Sequence, residues 1–180
     1  MRVITGTAKG FNLKSIESLD TRPTLDRIKV TMFDLIPDTF YDKNILDIFS
    51  GSGALGIEAL SRGASHCEFV EKNPECCKVI EENLNHTRLI DKANINNSEV
   101  LNQLTMFTNR QKFDMIFMDP PYDKDLVNMA IDKIYELDLL ADDGLIIAEC
   151  GEVEKINSDK FEILKERTFK KMSLYILGKK

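Results

Sequence analysis

The sequence predicts an α/β fold: a doubly wound, mostly parallel sheet with an antiparallel strand at one edge, preceded by a small N-terminal hairpin and helix. Three observations predict it. From Asn44 onward, short apolar runs alternate with helix-period segments, the pattern of βα units in a parallel sheet. The glycine-rich stretch Gly51-Ser52-Gly53-Ala54-Leu55-Gly56 stands between the first run and the first helical segment, where a ligand-binding turn opens a helix. Two final strand-like runs, 161–164 and 174–177, follow with no long helix between them, as an antiparallel edge allows.

Taken in order, residues 2–5 and 11–14 read as short strands around Gly6-Thr7-Ala8-Lys9-Gly10, a hairpin pattern. A polar linker, 15–22, precedes a helix start at Pro23 and Thr24. Leu25, Ile28, Met32, Leu35 and Ile36 form one apolar stripe on that helix, and Pro37 ends it. Residues 1–40 thus read as an extension of a single globular unit, 41–180. Within that unit, strands are expected at 45–49, 66–71, 93–96 (the weakest), 115–118 and 145–148. Helices are expected at 54–62, from Pro74 to about 86, at 100–108 and at 124–139. Ala141-Asp142-Asp143-Gly144 reads as the turn before the fifth strand.

Composition narrows the function classes. The 180 residues suit one domain with a substantial core, and 43% hydrophobic with 30% charged residues suit a soluble protein. No apolar run approaches the roughly 20 residues that span a bilayer. The start, Met-Arg-Val-Ile-Thr-Gly, lacks a signal-peptide core, so a cytoplasmic protein is expected. Cys67, Cys76, Cys77 and Cys150 show no Cys-x-x-Cys spacing, and His66 and His86 are isolated, so no metal site is expected. Net charge is −6, yet residues 1–31 hold six basic groups against three acidic ones, and 163–180 hold six against Glu166 alone. Two basic ends could make one basic face if they meet in space; a solvated hairpin and tail is the plain alternative.

The glycine loop carries the first chemical signal. Gly51-x-Gly53-x-x-Gly56 lets a ligand approach the backbone, and Glu71 ends the second strand 20 residues after Gly51, where a carboxylate can accept ribose hydroxyls. The pair points to an adenosine-bearing ligand; a tight βα turn with a surface glutamate is the plain alternative. A nicotinamide dinucleotide is disfavoured, because Asp47 lies four residues before Gly51 and would repel a pyrophosphate. S-adenosylmethionine suits both acids: its adenosine meets Glu71 and its cationic methionine end meets Asp47.

The second signal is Asp119-Pro120-Pro121-Tyr122, closing the apolar run 115–118. Pro120 forces Asp119 into an extended backbone, and both prolines show carbonyls rather than donors. The Asp119 side chain and the Pro120 carbonyl then form a stiff acceptor pair beside the Tyr122 ring, which suits a planar ring with an exocyclic NH2. A proline stop with an exposed tyrosine is the plain alternative. In a doubly wound sheet the fourth strand lies beside the first, so this motif and the glycine loop would share one cleft.

Three segments together carry a family resemblance. They are Asp47-x-Phe49-x-Gly51-Ser52-Gly53-x-x-Gly56-x-Glu58-Ala59-Leu60, then Glu71-Lys72-Asn73, then Asp119-Pro120-Pro121-Tyr122. They resemble the class I S-adenosylmethionine-dependent amino-methyltransferases. Thr21-Arg22-Pro23-Thr24-x-Asp26-Arg27, after Gly6-x-x-Lys9-Gly10, is similar to the RsmD-type bacterial 16S rRNA guanine-N2 methyltransferases. The chain departs from that pattern at Ile28-Lys29-Val30-Thr31 and at Asn97-Ser98-Glu99. The resemblance implies S-adenosylmethionine held by Asp47, Ser50, Gly51, Gly53, Glu71 and Ser98. It implies transfer at Asp119, Pro120 and Tyr122, with Arg2, Lys9, Arg22 and Arg27 holding RNA phosphates. It also implies 16S rRNA as partner, within a small-subunit particle or assembly intermediate, and the chain reads as a monomer. Rival readings keep the cleft and change the acceptor to adenine in DNA or a protein glutamine, or make the chain a non-catalytic RNA-binding module.

Overall fold

The structure is a computed structural model that describes residues 1–15, 23–36, 39–121, 125–151, 155–156, 159–170 and 172–180, with backbone alone for 23–26. Its sheet has seven strands: β1 (Asn44–Ile48), β2 (His66–Glu71), β3 (Ala93–Asn97), β4 (Phe113–Met118), β5 (Leu140–Gly151), β6 (Phe161–Thr168) and β7 (Met172–Lys179). The spatial order is β3-β2-β1-β4-β5-β7-β6. The first five strands are parallel, and β7 inserts antiparallel between β5 and β6. The helices are α1 (Pro23–Leu35), α2 (Ala54–Ser61), α3 (Pro74–Thr87), α4 (Val100–Phe107) and α5 (Leu126–Glu136).

Two-residue periodicity divides the core. Ile45, Phe69, Met115, Phe117, Ile147 and Ile176 point to one face, under α1, α2 and α3. Leu46, Ile48, Val70, Ile116, Met118 and Ile146 point to the other, under α4 and α5. Successive side chains of a strand alternate between faces, so strands covered on both sides read as unbroken apolar runs. Helix starts follow local chemistry. Asn73 caps α3, its side chain accepting the Glu75 N–H at 3.0 Å, and Pro74 opens the helix without losing a needed donor.

The N-terminal segment closes on itself as a short antiparallel hairpin and is also fastened to α2. Arg2 and Asn12 bridge its two arms, and the Val3, Gly10 and Leu13 N–H groups donate across them to the Phe11, Val3 and Met1 carbonyls at 2.9–3.0 Å, though no named strand extends from the bridge. Other donors go to α2: Ile4 and Thr5 N–H to the Glu58 carboxylate at 2.8 and 3.0 Å, and Ala8 N–H to Ser61 Oγ at 2.9 Å. Glu58 is fully buried and also meets Lys29 Nζ at 3.1 Å and Arg62 Nε at 2.9 Å. Arg62 lies over the Phe33 ring at 4.6 Å, which ties α1 into the same cluster. Gly6 permits this docking: its φ is +89°, and a Cβ there would stand 1.8 Å from the Ser61 carbonyl oxygen.

Some details differ from the sequence pattern. β5 begins earlier than 145, and residues 141–144, read as a turn, fall inside it as an unpaired bulge: Phe113 pairs with Leu140 and Met115 with Leu145, with no register partner between. A short 3₁₀ turn, Ile90–Lys92, precedes β3. The fifth helix is shorter at both ends than 124–139; Asp125 precedes it at a left-handed φ of 51°. Pro37, Arg22 and Tyr122 lie outside the described residues, as does the Leu25 side chain.

Candidate active site

β1 and β4 are neighbours, so their carboxyl ends meet where the strand order reverses, the place where such sheets bind ligands. Asp47 lies at the end of β1 and runs into the glycine loop; Asp119 and Pro120 follow β4 directly. The β4–β5 register pairs Met118 with Ala148, which brings Asp119 beside Glu149 of β5. Asp47, Asp119 and Glu149 thus form a group of carboxyls close enough to influence one another.

The loop is held open by a left-handed backbone at Phe49, Gly51 and Gly53, with φ of 60°, 54° and 75°. At Phe49 this conformation costs roughly 1–2 kcal/mol, a strain that sits at the ligand turn. A Cβ added to Gly51 would meet nothing within 4 Å, so the outer face of that residue is clear for a ligand to lie against. Glu71 shapes the loop from β2: its Oε2 accepts the Gly51 N–H at 2.9 Å and its Oε1 the Asn73 N–H at 2.8 Å. A carboxylate has about four acceptor positions, so each oxygen retains one for ribose hydroxyls. These residues fit an adenosine-bearing cofactor.

Other residues take different parts. Ser50 is buried and its hydroxyl is committed to the fold, 2.6 Å from the Asp47 carbonyl, while accepting the Val70 N–H at 3.0 Å. It sets the loop's shape instead of offering its side chain. Asp47 is 2% exposed, and its Oδ2 accepts the Gly56 N–H at 2.9 Å, anchoring the first turn of α2. Ser98 donates its N–H to the Glu71 carbonyl at 3.2 Å and its hydroxyl to the Glu99 carbonyl. Asn97 donates to the carbonyls of Glu71 and Lys72 at 3.0 and 2.9 Å, so it builds the rim of the same pocket.

The electrostatics are unusual for acids. Burial pushes the Asp47 carboxyl up to about 8; the Gly56 N–H opposes this, and Glu71 adds to it. Asp119 is raised well above the usual carboxylate range, first by the surrounding protein that displaces water, then by Glu149 and Asp47. Its side chain still reaches solvent through the open cleft, so the direction is upward while the carboxyl stays accessible. Pro120 is buried behind it and Pro121 is exposed. Glu149, 4% exposed, is not among the residues the sequence singles out; an acid directly after the apolar run 145–148 is the available signal. The basic candidates lie apart from this cleft: Arg2, Lys9 and Arg27 are exposed and line one cavity between the N-terminal segment and α1.

Comparison with known proteins agrees with this geometry. Residues 1–178 match the family model described as Conserved hypothetical protein 95. The protein YlbH of Bacillus subtilis is 39% identical over 150 residues, covering 83% of this chain and 82% of that one. Ribosomal RNA small subunit methyltransferase D of Haemophilus influenzae is 34% identical over 170 residues, covering 93% and 88%. The solved structure of yhhF from Escherichia coli superposes with a TM-score of 0.87 at 27% identity, covering 100% of this chain and 98% of that one. The chain belongs to the Conserved hypothetical protein 95 family, that of the RsmD-type small-subunit rRNA methyltransferases.

Proposed function

We propose that the chain transfers a methyl group from S-adenosylmethionine to the exocyclic N2 amine of a guanine in bacterial 16S rRNA. One observation carries this reading: the Asp119-Pro120 acceptor pair ends the strand beside the one that delivers the open glycine loop. The relatives named ribosomal RNA small subunit methyltransferase D support the acceptor class. S-adenosylmethionine, when bound, supplies an electrophilic methyl group on a sulfonium.

The chain's own residues do the positioning. Gly51 gives the cofactor a clear backbone face, and Glu71 holds the ribose. The target guanine is turned out of its stack, as enzymes acting on a base require. Asp119 and the Pro120 carbonyl accept the two amine hydrogens and aim the nitrogen lone pair at the methyl carbon. Tyr122 stacks on the ring, worth about 1–3 kcal/mol. In-line approach at about 3–3.5 Å supplies most of the acceleration, so no strong base is needed. The product nitrogen releases its proton to Asp119 or water. Arg2, Lys9, Arg22 and Arg27, all within residues 1–40, hold phosphates and set register without reading sequence.

The test is methyl transfer from labelled S-adenosylmethionine to unmethylated small-subunit particles, naked 16S rRNA, DNA and protein in parallel. Label in rRNA that digests to N2-methylguanosine is the expected result. Label in DNA or protein would keep the cleft and overturn the acceptor.

A further inference from the structure

A cavity of about 590 Å³ opens between the N-terminal segment and α1, separate from the strand-end cleft. Pockets of roughly 300–1,000 Å³ are the size that takes a small molecule or a single nucleotide. Its floor is apolar, formed by Val3, Ile4 and Val30, and its rim carries Arg2, Lys9 and Arg27. Arg27, Val30 and Thr31 share one face of α1 at helical spacing, so cation and apolar surface are presented together. Among the described residues no carboxylate lines the cavity, in a chain whose net charge is −6.

Its walls are pinned. The Arg2 carbonyl accepts from Lys29 Nζ at 3.0 Å, and that ammonium is itself held by buried Glu58 at 3.1 Å. Val3 is fixed from both sides: its N–H donates to the Phe11 carbonyl at 3.0 Å, and its carbonyl accepts the Gly10 N–H at 2.9 Å. The far arm continues to Lys14, whose backbone pairs with Asn83, which also donates to the Ser52 carbonyl in the glycine loop. The cavity wall is therefore in register with the cofactor loop through a short chain of hydrogen bonds.

A surface that only gathers phosphates needs cations and no apolar floor. This one has both, which matches a flat ring carrying an anion. We propose that the cavity holds one unstacked nucleotide of the rRNA, distinct from the methylated guanine, with its base on Val3, Ile4 and Val30 and its phosphates on Arg2, Lys9 and Arg27. The proposal rests on the rRNA reading above. Sequence-specific RNA recognition takes unstacked bases out of single-stranded segments, and the guanidinium planes of Arg2 and Arg27 can stack on a base as well as pair with its phosphate. The second site gives the enzyme a means of choosing among guanines, which phosphate contacts alone do not supply.

Val30→Glu tests it, because Val30 is 37% exposed and the change puts an anion on the floor without disturbing the core. The KM for small-subunit particles or naked 16S rRNA should rise about tenfold, as an anion placed against a phosphate-bearing nucleotide would give. S-adenosylmethionine affinity and Tm should not move. Val30→Leu, which keeps the floor apolar, should retain the parent KM. A photo-crosslinking residue at position 30 should mark one single-stranded nucleotide away from the methylated guanine. An unchanged KM for Val30→Glu, an equal loss in Val30→Leu, crosslinks scattered along the rRNA, or a crosslink to a ribosomal protein would each overturn the pocket. If the parent chain labels rRNA and Val30→Glu labels it equally well, the pocket alone falls. If the parent labels no rRNA, the functional reading falls and takes the pocket with it.

Discussion

Asp119 accepts well only as a carboxylate, yet the surrounding protein first, then Glu149 and Asp47, favour its neutral form. Methyl transfer should therefore rise with pH along a limb that lies above the ordinary carboxylate range, read as kcat against pH. Asp119→Ala should abolish transfer while leaving S-adenosylmethionine affinity largely intact; near-parent turnover would remove Asp119 from the chemistry. Asp119→Asn keeps a neutral acceptor and should lose the limb. Glu149→Gln removes one negative neighbour, so the limb should move to lower pH; a limb that stays in place would separate Glu149 from Asp119. Asp47 gives a stability prediction of opposite slope. Its unfolded pKa is about 3.9 and its folded value about 8, so between these the folded chain keeps a proton that the unfolded chain releases. Stability from this group is full below the lower value and is lost as pH rises through the upper one. The ligand-free protein should have a lower Tm at pH 8.5 than at pH 5.5, and Asp47→Asn should narrow that difference. Asp47 was legible as an acid near the cofactor because spacing reports proximity. Its bond to Gly56 was not, since only the turn of the chain brings residue 56 back to it.

The N-terminal segment and α2 form one element in energetic terms, joined at Glu58. Removing that carboxylate takes the Glu58 charge from the buried Lys29 ammonium and the acceptor from three further donors, the Ile4 and Thr5 N–H groups and Arg62 Nε. Breaking a buried pair in this way costs about 3–5 kcal/mol, so Glu58→Ala should lower Tm sharply, as scanning calorimetry would show. Gly6→Ala should release the same segment by collision with the Ser61 carbonyl, weakening RNA binding more than cofactor binding; equal loss of both would contradict it. Sequence periodicity revealed strands and helices but not this attachment. Residues 2–5 and 11–14 have the composition of paired strands and do pair around the Arg2–Asn12 bridge, while tertiary contact turns the Ile4 and Thr5 donors to α2. The turn chemistry of Asp142-Asp143-Gly144 shows as an unpaired bulge between Leu140 and Leu145; that Leu140 already pairs with Phe113 was not legible, because pairing depends on the neighbouring strand. Ser50 looked like a ligand contact because it stands in the loop, whereas its hydroxyl spans β1 and β2.

For the whole molecule, charge and topology act together. The chain is acidic, with net charge −6, so attraction to RNA must come from a local face. Replacing Arg2, Lys9 and Arg27 by Gln should reduce the slope of log affinity against log salt by about one per cation, roughly three in all. An unchanged slope would give these residues a structural role instead. The parallel sheet, its switch point and the glycine loop could be read from the sequence, because both-face burial and glycine spacing are local signals. The cavity beside α1 could not, since Arg2, Lys9, Arg27 and Val30 come together only after docking.

That docking also sets an order of events. The first fifteen residues are made well before the α2 and α3 groups that fasten them: Glu58 follows Thr5 by 53 residues, and Asn83 follows Lys14 by 69. The basic wall can therefore form only once α2 and α3 have been synthesised, and by then the glycine loop that precedes α2 is already made. A nascent chain emerging amid rRNA lacks an organised surface for gripping it until its own cofactor turn is in place.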